Sequence, residues 1–336
     1  MEKDSIQWIH ILRATATFAV IVLHCTIPYG NNYDPQNINW LIATFVNSNV
    51  RFCVPIFLML SGVLLLGKNY SLSDFLKKRI SRILLPFLFW SIIYFFMTSP
   101  VRSNITQLSF DFFKAMKSGT CYHLWYIYMI IGVYLFLPII NKWISNASKK
   151  EILFYLILWL LVLLIDLPVI NRLYTVIDLR YFSGFLGYVI FGFYLYRYSK
   201  AKTNTWIFII LFIAGNFLTF SLIYIFSKAD GAVNKTFYSY LTPNIILSSY
   251  SIFMLFKNKK IKESWLTKIM EIISKYSYGI YLCHVFSMMI LPKMGIVMKT
   301  SYAFVNILGT AFLSLALSLA VVLVLNKLPL GKYISG

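Results

Sequence analysis

The first apolar stretch of the chain contains two side chains that are costly in lipid, Arg13 and His24. A charged side chain at the centre of a bilayer costs about 2.5–3.5 kcal/mol on insertion scales, so its presence needs a reason. Eleven residues at 100° each come within about 20° of three full turns, so a helix places both side chains on one stripe, roughly 16 Å apart. The spacing predicts a cation and an imidazole on one interior face. The structural alternative is a polar pair that only packs by hydrogen bonds.

A second basic pair, Arg79 and Arg82, follows Lys77 and Lys78 just before a later apolar stretch. Residues three apart are neighbours on a helix. Two neighbouring guanidinium groups can together bind one phosphate group through charge-assisted hydrogen bonds. The alternative is that these arginines only anchor a helix end at the cytoplasmic surface.

Other polar side chains interrupt the apolar pattern at Asn47, Arg51, His123, Tyr281 and His284. Arg51 lies at lipid depth, so we expect it to face a polar interior or the outer headgroups. A histidine near an interface serves packing more often than chemistry, and both roles stay open for His123 and His284. All five residues are candidates for the acceptor side of a site or for orienting a catalytic group.

The absent motifs narrow the function further. None of the eleven acidic residues falls in the middle of an apolar span, and Glu151 and Asp166 sit at span ends. Ion-coupled transporters generally rely on intramembrane carboxylates. GxSxG, P-loop and GxGxxG motifs are missing, as are metal-ligand spacings. We therefore expect neither a metal site nor a bound cofactor, and we interpret the four cysteines as small core residues.

The composition shows which elements must position these residues. Apolar residues make up 59% of the 336 positions and charged residues only 12%, against roughly 25% charged in soluble domains. Apolar stretches of about 20 residues recur from end to end, which predicts an all-α, multi-pass membrane bundle in a single domain, 1–336. The ten predicted spans are about 6–29, 39–66, 82–99, 121–141, 151–170, 181–198, 205–227, 237–256, 273–292 and 301–326.

The basic residues predict an orientation. Twenty of the 31 Lys and Arg residues fall on one side when the connections are assigned alternately, nine fall on the other, and Arg13 and Arg51 lie within spans. The positive-inside rule then places both termini in the cytoplasm. The net charge of +20 comes from short clusters between spans rather than a continuous basic face. This distribution is typical of an anionic membrane surface and argues against nucleic acid as a partner.

Taken together, the motifs resemble those of the acyltransferase-3 family of membrane acyltransferases. The resemblance rests on Arg13 and His24 with ten residues between them, on Arg79-x-x-Arg82, and on three further segments in the same order. These segments are Val54-Pro55-Ile56-Phe57-Leu58-Met59-Leu60-Ser61-Gly62, His123-Leu124-Trp125-Tyr126 and Tyr278-Gly279-Ile280-Tyr281-Leu282-Cys283-His284. It covers essentially the whole chain and is closest to the stand-alone O-acetyltransferases of surface polysaccharides, of the enterobacterial common antigen type.

The resemblance implies an acyl-CoA co-substrate, usually acetyl-CoA, and a sugar acceptor on a lipid-linked or exported glycan at a bacterial plasma membrane. It carries functional roles over to Arg13, His24, Arg79 and Arg82. Arg13, Arg79 and Arg82 would hold the acyl-CoA. His24 would act as general base or as covalent acyl carrier, two mechanisms that the sequence leaves open. The oligomeric state also stays open, a homo-oligomer included.

A catalytic histidine usually needs an orienting partner, and no carboxylate is obvious beside His24. Asn47, Asn49, Asp166, Asp178 or a tyrosine are the candidates. Two other functions compete with O-acetyl transfer. One is export of a glycan or lipid without acyl transfer, and the other is transfer of a succinyl or another short acyl group.

Overall fold

The computed structural model describes residues 3–98, 105–167, 170, 182, 184–199, 204–259 and 261–336. Over these residues the chain is helical and contains no strand, which confirms the predicted all-α class. The helices are α1 (Lys3–Cys25), α2 (Ile27–Gly30), α3 (Ile38–Val50), α4 (Cys53–Leu65), α5 (Leu72–Thr98), α6 (Ile105–Ser118), α7 (Trp125–Asn146), α8 (Lys149–Ile165), α9 (Leu186–Tyr198), α10 (Thr205–Asp230), α11 (Pro243–Asn258), α12 (Trp265–Lys275), α13 (Ser277–Lys293) and α14 (Ala303–Lys327).

Each of the ten predicted spans overlaps one of these helices. Among the described residues, six segments are long and apolar enough to cross a membrane: Gln7–Cys25, Ile38–Leu65, Leu72–Thr98, Tyr122–Asn146, Thr205–Asp230 and Ala303–Lys327. Helices α8, α9, α11 and α13 are shorter, with 17, 13, 16 and 17 residues. The chain is thus a multi-pass helical protein, whereas the number of ten crossings and the location of the termini stay predictions.

The predicted span over 39–66 is confirmed as one apolar segment, Ile38–Leu65, but it is not one continuous helix. It consists of α3 and α4, which are separated at Arg51 and Phe52. Pro55 supplies the reason, because its ring clashes with the carbonyl four residues earlier, that of Arg51, and it has no N–H to donate. Arg51 therefore lies at the joint between two helices rather than inside one.

The third predicted span, 82–99, starts too late to describe its helix, because α5 begins at Leu72. The side chain of Ser71 accepts a hydrogen bond from the backbone N–H of Asp74 at 3.1 Å and donates to its carboxylate at 2.7 Å. Such a cap starts a helix where the charge pattern alone suggests a loop. Arg79 and Arg82 consequently lie inside α5 rather than at its entry.

Two further helices lie almost entirely outside the predicted spans, α6 and α12. Both helices contain charged and polar residues among their apolar ones. Their mean hydropathy is therefore too low for the apolar pattern of a membrane span. Helix α12 also shortens the predicted span over 273–292, since it ends at Lys275 and α13 begins at Ser277.

The chain divides into two compact units. The first comprises Met1–Lys68, Asn141–Lys275 and Met298–Ala311, and the second comprises Asn69–Ile140, Tyr276–Val297 and Phe312–Gly336. The prediction of one membrane domain over 1–336 stays a prediction.

In the first unit, α1 packs against α3, α4, α11 and α12. Helices α4 and α9 approach each other through glycines. A Cβ atom on Gly62 would overlap the carbonyl of Val189, and one on Gly192 would overlap the backbone of Met59. These glycines allow close backbone contact between α4 and α9, and α4 also packs against α1.

In the second unit, α5 packs against α13 through tyrosines. The Tyr94 hydroxyl donates to the carbonyl of Leu282 at 2.6 Å and accepts from the N–H of Phe286 at 3.0 Å. The Tyr278 hydroxyl donates to the carbonyl of Ile83 at 2.9 Å. These hydrogen bonds fix the register of the two helices.

The orientation predicted from the charge count can be tested with single introduced cysteines. The four native cysteines are all buried, whereas Asp34 and Lys259 are exposed. We expect Asp34→Cys to react with a membrane-impermeant maleimide only from outside the cell, and Lys259→Cys only from the cytoplasmic side of inverted vesicles. Reaction of residue 34 from the cytoplasmic side alone would show that the predicted topology is wrong.

Candidate functional site

Helix α1 places Arg13 and His24 on one stripe, together with Thr17 and Val20 at intervening positions on the same face. Thr17 is 2% exposed and Val20 is 4% exposed, so the middle of this face is buried. Arg13 and His24 themselves are half-buried. Helix α1 is continuous through both positions, so it places Arg13 and His24 on one face, and their catalytic roles stay a proposal.

The lower end of this stripe contains a residue that the sequence analysis missed. The Nδ1 atom of His10, one turn before Arg13, lies 3.0 Å from the hydroxyl of Ser274 on α12. The charges of Arg13 and Glu271 both act on the His10 imidazole. The spacing of three residues between His10 and Arg13 was a usable signal, whereas the approach of Glu271 depends on the tertiary packing of α12 against α1.

The upper end of α1 is held by a chain of hydrogen bonds. Thr26, two residues after His24, donates its hydroxyl to the carbonyl of Leu23 at 2.7 Å. The amide of Asn47 donates to the Thr26 hydroxyl at 2.6 Å, and the Asn47 carbonyl accepts from Nε of Arg51 at 2.6 Å. The structure thus brings Asn47 and Arg51 together and connects them to the end of α1.

Arg51 continues this chain into the segment that follows α10. Its Nη1 atom donates to the carbonyl of Tyr238 at 3.1 Å, and its guanidinium carbon lies 4.2 Å from the centre of the Tyr238 ring and 5.6 Å from that of Tyr240. The Tyr238 hydroxyl donates to the carbonyl of Thr44 on α3. Arg51 also sits at the C-terminal end of α3, where a cation is favoured by the helix dipole. Its charge is therefore compensated within the fold.

The other candidates for orienting His24 have different surroundings. The side-chain amide of Asn49 donates to the carbonyl of Phe45 on its own helix at 2.8 Å. Asp166 is exposed at the end of α8. Asp178 lies outside the described residues.

The second unit brings together three candidates that are far apart in sequence. His123 lies in a short 3₁₀ turn before α7, and Tyr281 and His284 lie on α13. The rings of His123 and His284 are edge to face, with centres 5.0 Å apart, and Tyr281 donates its hydroxyl to the carbonyl of His123. The ring of Tyr94 packs on His123 at the same 5.0 Å distance. Both histidines are buried.

One hydrogen bond defines the chemistry of His284. Its Nδ1 atom lies 2.6 Å from the carbonyl of Tyr281. A carbonyl only accepts, so Nδ1 must carry the hydrogen, and the lone pair of the neutral ring is on Nε2. His284 thus presents its basic nitrogen on the side away from its own helix turn.

The basic pair on α5 belongs to this second unit. Arg79 is half-buried and Arg82 is exposed, and Lys77 and Lys78 beside them are exposed as well. Burial raises the pKa of the Tyr70 hydroxyl, and the positive charge of Arg79 partly opposes this shift. The Arg79 charge therefore acts on the Tyr70 hydroxyl. Accessible guanidinium groups three residues apart fit the predicted contact with an anionic group.

The comparisons with known proteins identify the family. Residues 6–327 match the family model described as an acyltransferase domain, which is that of the acyltransferase-3 family. The comparison with curated proteins finds no match, and neither does the comparison with solved structures. The family match spans nearly the whole chain, including every candidate site residue.

The hydrogen bonds of Arg51 predict a measurable contribution to stability. Lysine in its place keeps the charge but loses the planar fork, so it cannot bond Asn47 and the Tyr238 carbonyl in the same geometry. We expect Arg51→Lys to lower the free energy of unfolding by about 1–3 kcal/mol, measured by thermal unfolding of the purified protein in detergent. Arg197→Lys is the matched control, since Arg197 is exposed at the end of α9. Equal unfolding midpoints for the two variants would contradict a structural role for Arg51.

Proposed function

Because the chain belongs to the acyltransferase-3 family and has membrane acyltransferase activity in general terms, we propose that it transfers an acetyl group from cytoplasmic acetyl-CoA to a sugar hydroxyl. The acceptor would be a lipid-linked or cell-surface glycan, and the protein would lie in a bacterial plasma membrane. The observation that carries this proposal is the buried stripe on α1 that presents Arg13 and His24 together.

Arg79 and Arg82 are proposed to bind the donor through its phosphates. Coenzyme A carries its phosphates at one end and the thioester at the other end of a long flexible arm. Arg82 is exposed and Arg79 half-buried on one side of α5, so a phosphate can reach both. Arginine binds phosphate through two parallel N–H donors, a geometry that lysine lacks. Arg13 is proposed to assist from α1, in line with the roughly 16 Å between Arg13 and His24 along the helix.

His24 is proposed to activate the acceptor. In the one-step route, the sugar oxygen attacks the thioester carbon while the imidazole takes the hydroxyl proton. The carbon–sulfur bond then breaks, and the coenzyme A thiolate leaves and is protonated. In the two-step route, the imidazole nitrogen attacks the thioester carbon and expels the coenzyme A thiolate. The sugar hydroxyl then attacks the acetyl-imidazole, the carbon–nitrogen bond breaks, and the hydroxyl proton goes to the thiolate. Both routes produce one ester and one thiol.

Asn47 and Arg51 are proposed to orient this end of α1. Their hydrogen bonds reach Thr26, two residues from His24, so they limit how far the helix end can move. A misplacement of about 1 Å can cost a large factor in rate when reacting groups must be aligned.

His123, Tyr281 and His284 are proposed to serve the acceptor side. With the hydrogen of its neutral ring on Nδ1, toward the Tyr281 carbonyl, His284 has its basic nitrogen at Nε2.

The proposal is tested with purified protein in proteoliposomes, acetyl-CoA labelled in the acetyl group and glycan acceptors from the native envelope. We expect labelled glycan and free coenzyme A in equal amounts. We also expect Arg79→Ala and Arg82→Ala each to raise the KM for acetyl-CoA by roughly tenfold or more through loss of a charged hydrogen bond. Arg197→Ala, which removes an exposed arginine elsewhere, should leave this KM unchanged.

Several outcomes would contradict the proposal. Glycan binding without consumption of acetyl-CoA would indicate an exporter, and a strong preference for succinyl-CoA would replace the acetyl donor. An unchanged donor KM in both α5 variants would leave those arginines as topology anchors only. His284→Gln should raise the KM for the glycan and not that for acetyl-CoA, so an effect on the donor alone would rule out its acceptor role.

A further inference from the structure

Helix α12 carries an apolar stripe that no part of the described structure covers. Trp265, with 74% of its surface exposed, shares this stripe with the exposed residues Leu266, Ile269 and Ile272. At 100° per residue these four side chains lie within about 120° of each other around the helix. Exposed apolar side chains gathered on one face indicate a contact surface rather than chance.

The opposite side of α12 is already in use. Thr267 and Ser274 are buried there, and α12 packs against α1. Ser264 and Thr267 fix the start of the helix by reciprocal hydrogen bonds, from the Ser264 N–H to the Thr267 hydroxyl at 2.9 Å and from the Thr267 N–H to the Ser264 hydroxyl at 3.2 Å. The apolar stripe is therefore held in a fixed orientation.

Helix α12 is too short to cross a bilayer. Its 11 residues extend about 16 Å, roughly half of the hydrocarbon thickness. Lys268, Glu271 and Lys275 also follow its third side, and the two lysines are exposed. A helix with an apolar face beside a basic face is typical of segments that lie in the plane of the membrane interface.

The surrounding charge identifies the surface that α12 fits. Residues 257–275 contain six lysines against two glutamates. Lys257 is engaged in the fold, because its Nζ atom donates to the Leu195 carbonyl at 2.6 Å and to the Ser199 hydroxyl at 2.6 Å. Lys262 and Lys268 are exposed on either side of Trp265 and can meet headgroups.

We propose that α12 is an interfacial helix that binds anionic phospholipids of the cytoplasmic leaflet, with Trp265, Leu266, Ile269 and Ile272 in the acyl region and Lys262 and Lys268 at the phosphates. Anionic lipid attracts basic residues held at the membrane surface. Helix α12 packs against α1, which contains a segment able to cross the membrane, Gln7–Cys25. The proposal does not depend on the substrate of the enzyme.

The test uses a fluorophore on Ile269→Cys in nanodiscs, with nitroxide-labelled phosphatidylglycerol or nitroxide-labelled phosphatidylcholine at equal mole fractions. The native cysteines are buried, so the label is site-specific. We expect quenching by both lipids, with a several-fold preference for the anionic one. Lys262→Gln and Lys268→Gln should each lower the ratio of quenching by the anionic lipid to quenching by phosphatidylcholine. The expected decrease is roughly fivefold, or down to a ratio of one where the initial preference is smaller.

The controls separate this helix from the general basic character of the chain. Lys142→Gln with Lys150→Gln removes two exposed lysines from the same predicted side of the membrane and should leave the preference unchanged. Absence of quenching by either lipid would overturn the proposal and indicate that a protein covers the stripe. Equal quenching by the two lipids, or a preference that survives the Lys262 and Lys268 changes, would also overturn it.

Discussion

The structure depends on how the chain compensates polar side chains inside apolar helices. Arg51 shows the solution most clearly, because its guanidinium bonds Asn47 and the Tyr238 carbonyl and lies over the Tyr238 ring. The hydrocarbon region contains no water to hydrogen-bond a buried polar group, so partners within the protein must take that role. One consequence is local, since the end of α1 is tied to α3 through Thr26. The other is functional, since a helix fixed at this end holds His24 at a defined height.

Each of the two units contains residues to which we assign a proposed role. The first contains the helix with Arg13 and His24, which we interpret as the reacting part. The second contains the accessible arginines of α5 and the buried histidine pair, which we interpret as donor and acceptor parts. Each part is built by a different means. Arg79 and Arg82 need only one helix turn, whereas His123 and His284 meet because α13 and the turn before α7 pack within one unit.

Sequence reasoning succeeded where helix geometry alone fixes the answer. The positions of Arg13 and His24 on one face follow from their spacing, and the apolar stretches locate the helices to within a few residues. The same reasoning did not predict features that depend on helix capping, on a proline within a span, or on contacts between residues far apart in sequence. The Ser71 cap starts α5 ten residues before the predicted span, and Pro55 divides the second span at Arg51. Tyr238 contacts Arg51 across 187 positions, and Tyr281 contacts His123 across 158. No local pattern specifies such pairs, because they arise only when helices pack.

The central claim is that His24 performs the acyl transfer, and the His24→Ala variant tests it most directly. Turnover per folded molecule is measured with labelled acetyl-CoA, and acetyl-CoA binding is measured separately by calorimetry. The account predicts a folded protein that still binds the donor and has lost its transfer activity, by a factor of about 10²–10⁴ for a general base and by more for a covalent acyl carrier. A histidine that only packs would give a lower yield of protein with normal specific activity. A decrease in turnover of less than about threefold is far smaller than the decrease expected from loss of a general base. Such a result would contradict the account and remove His24 from the mechanism.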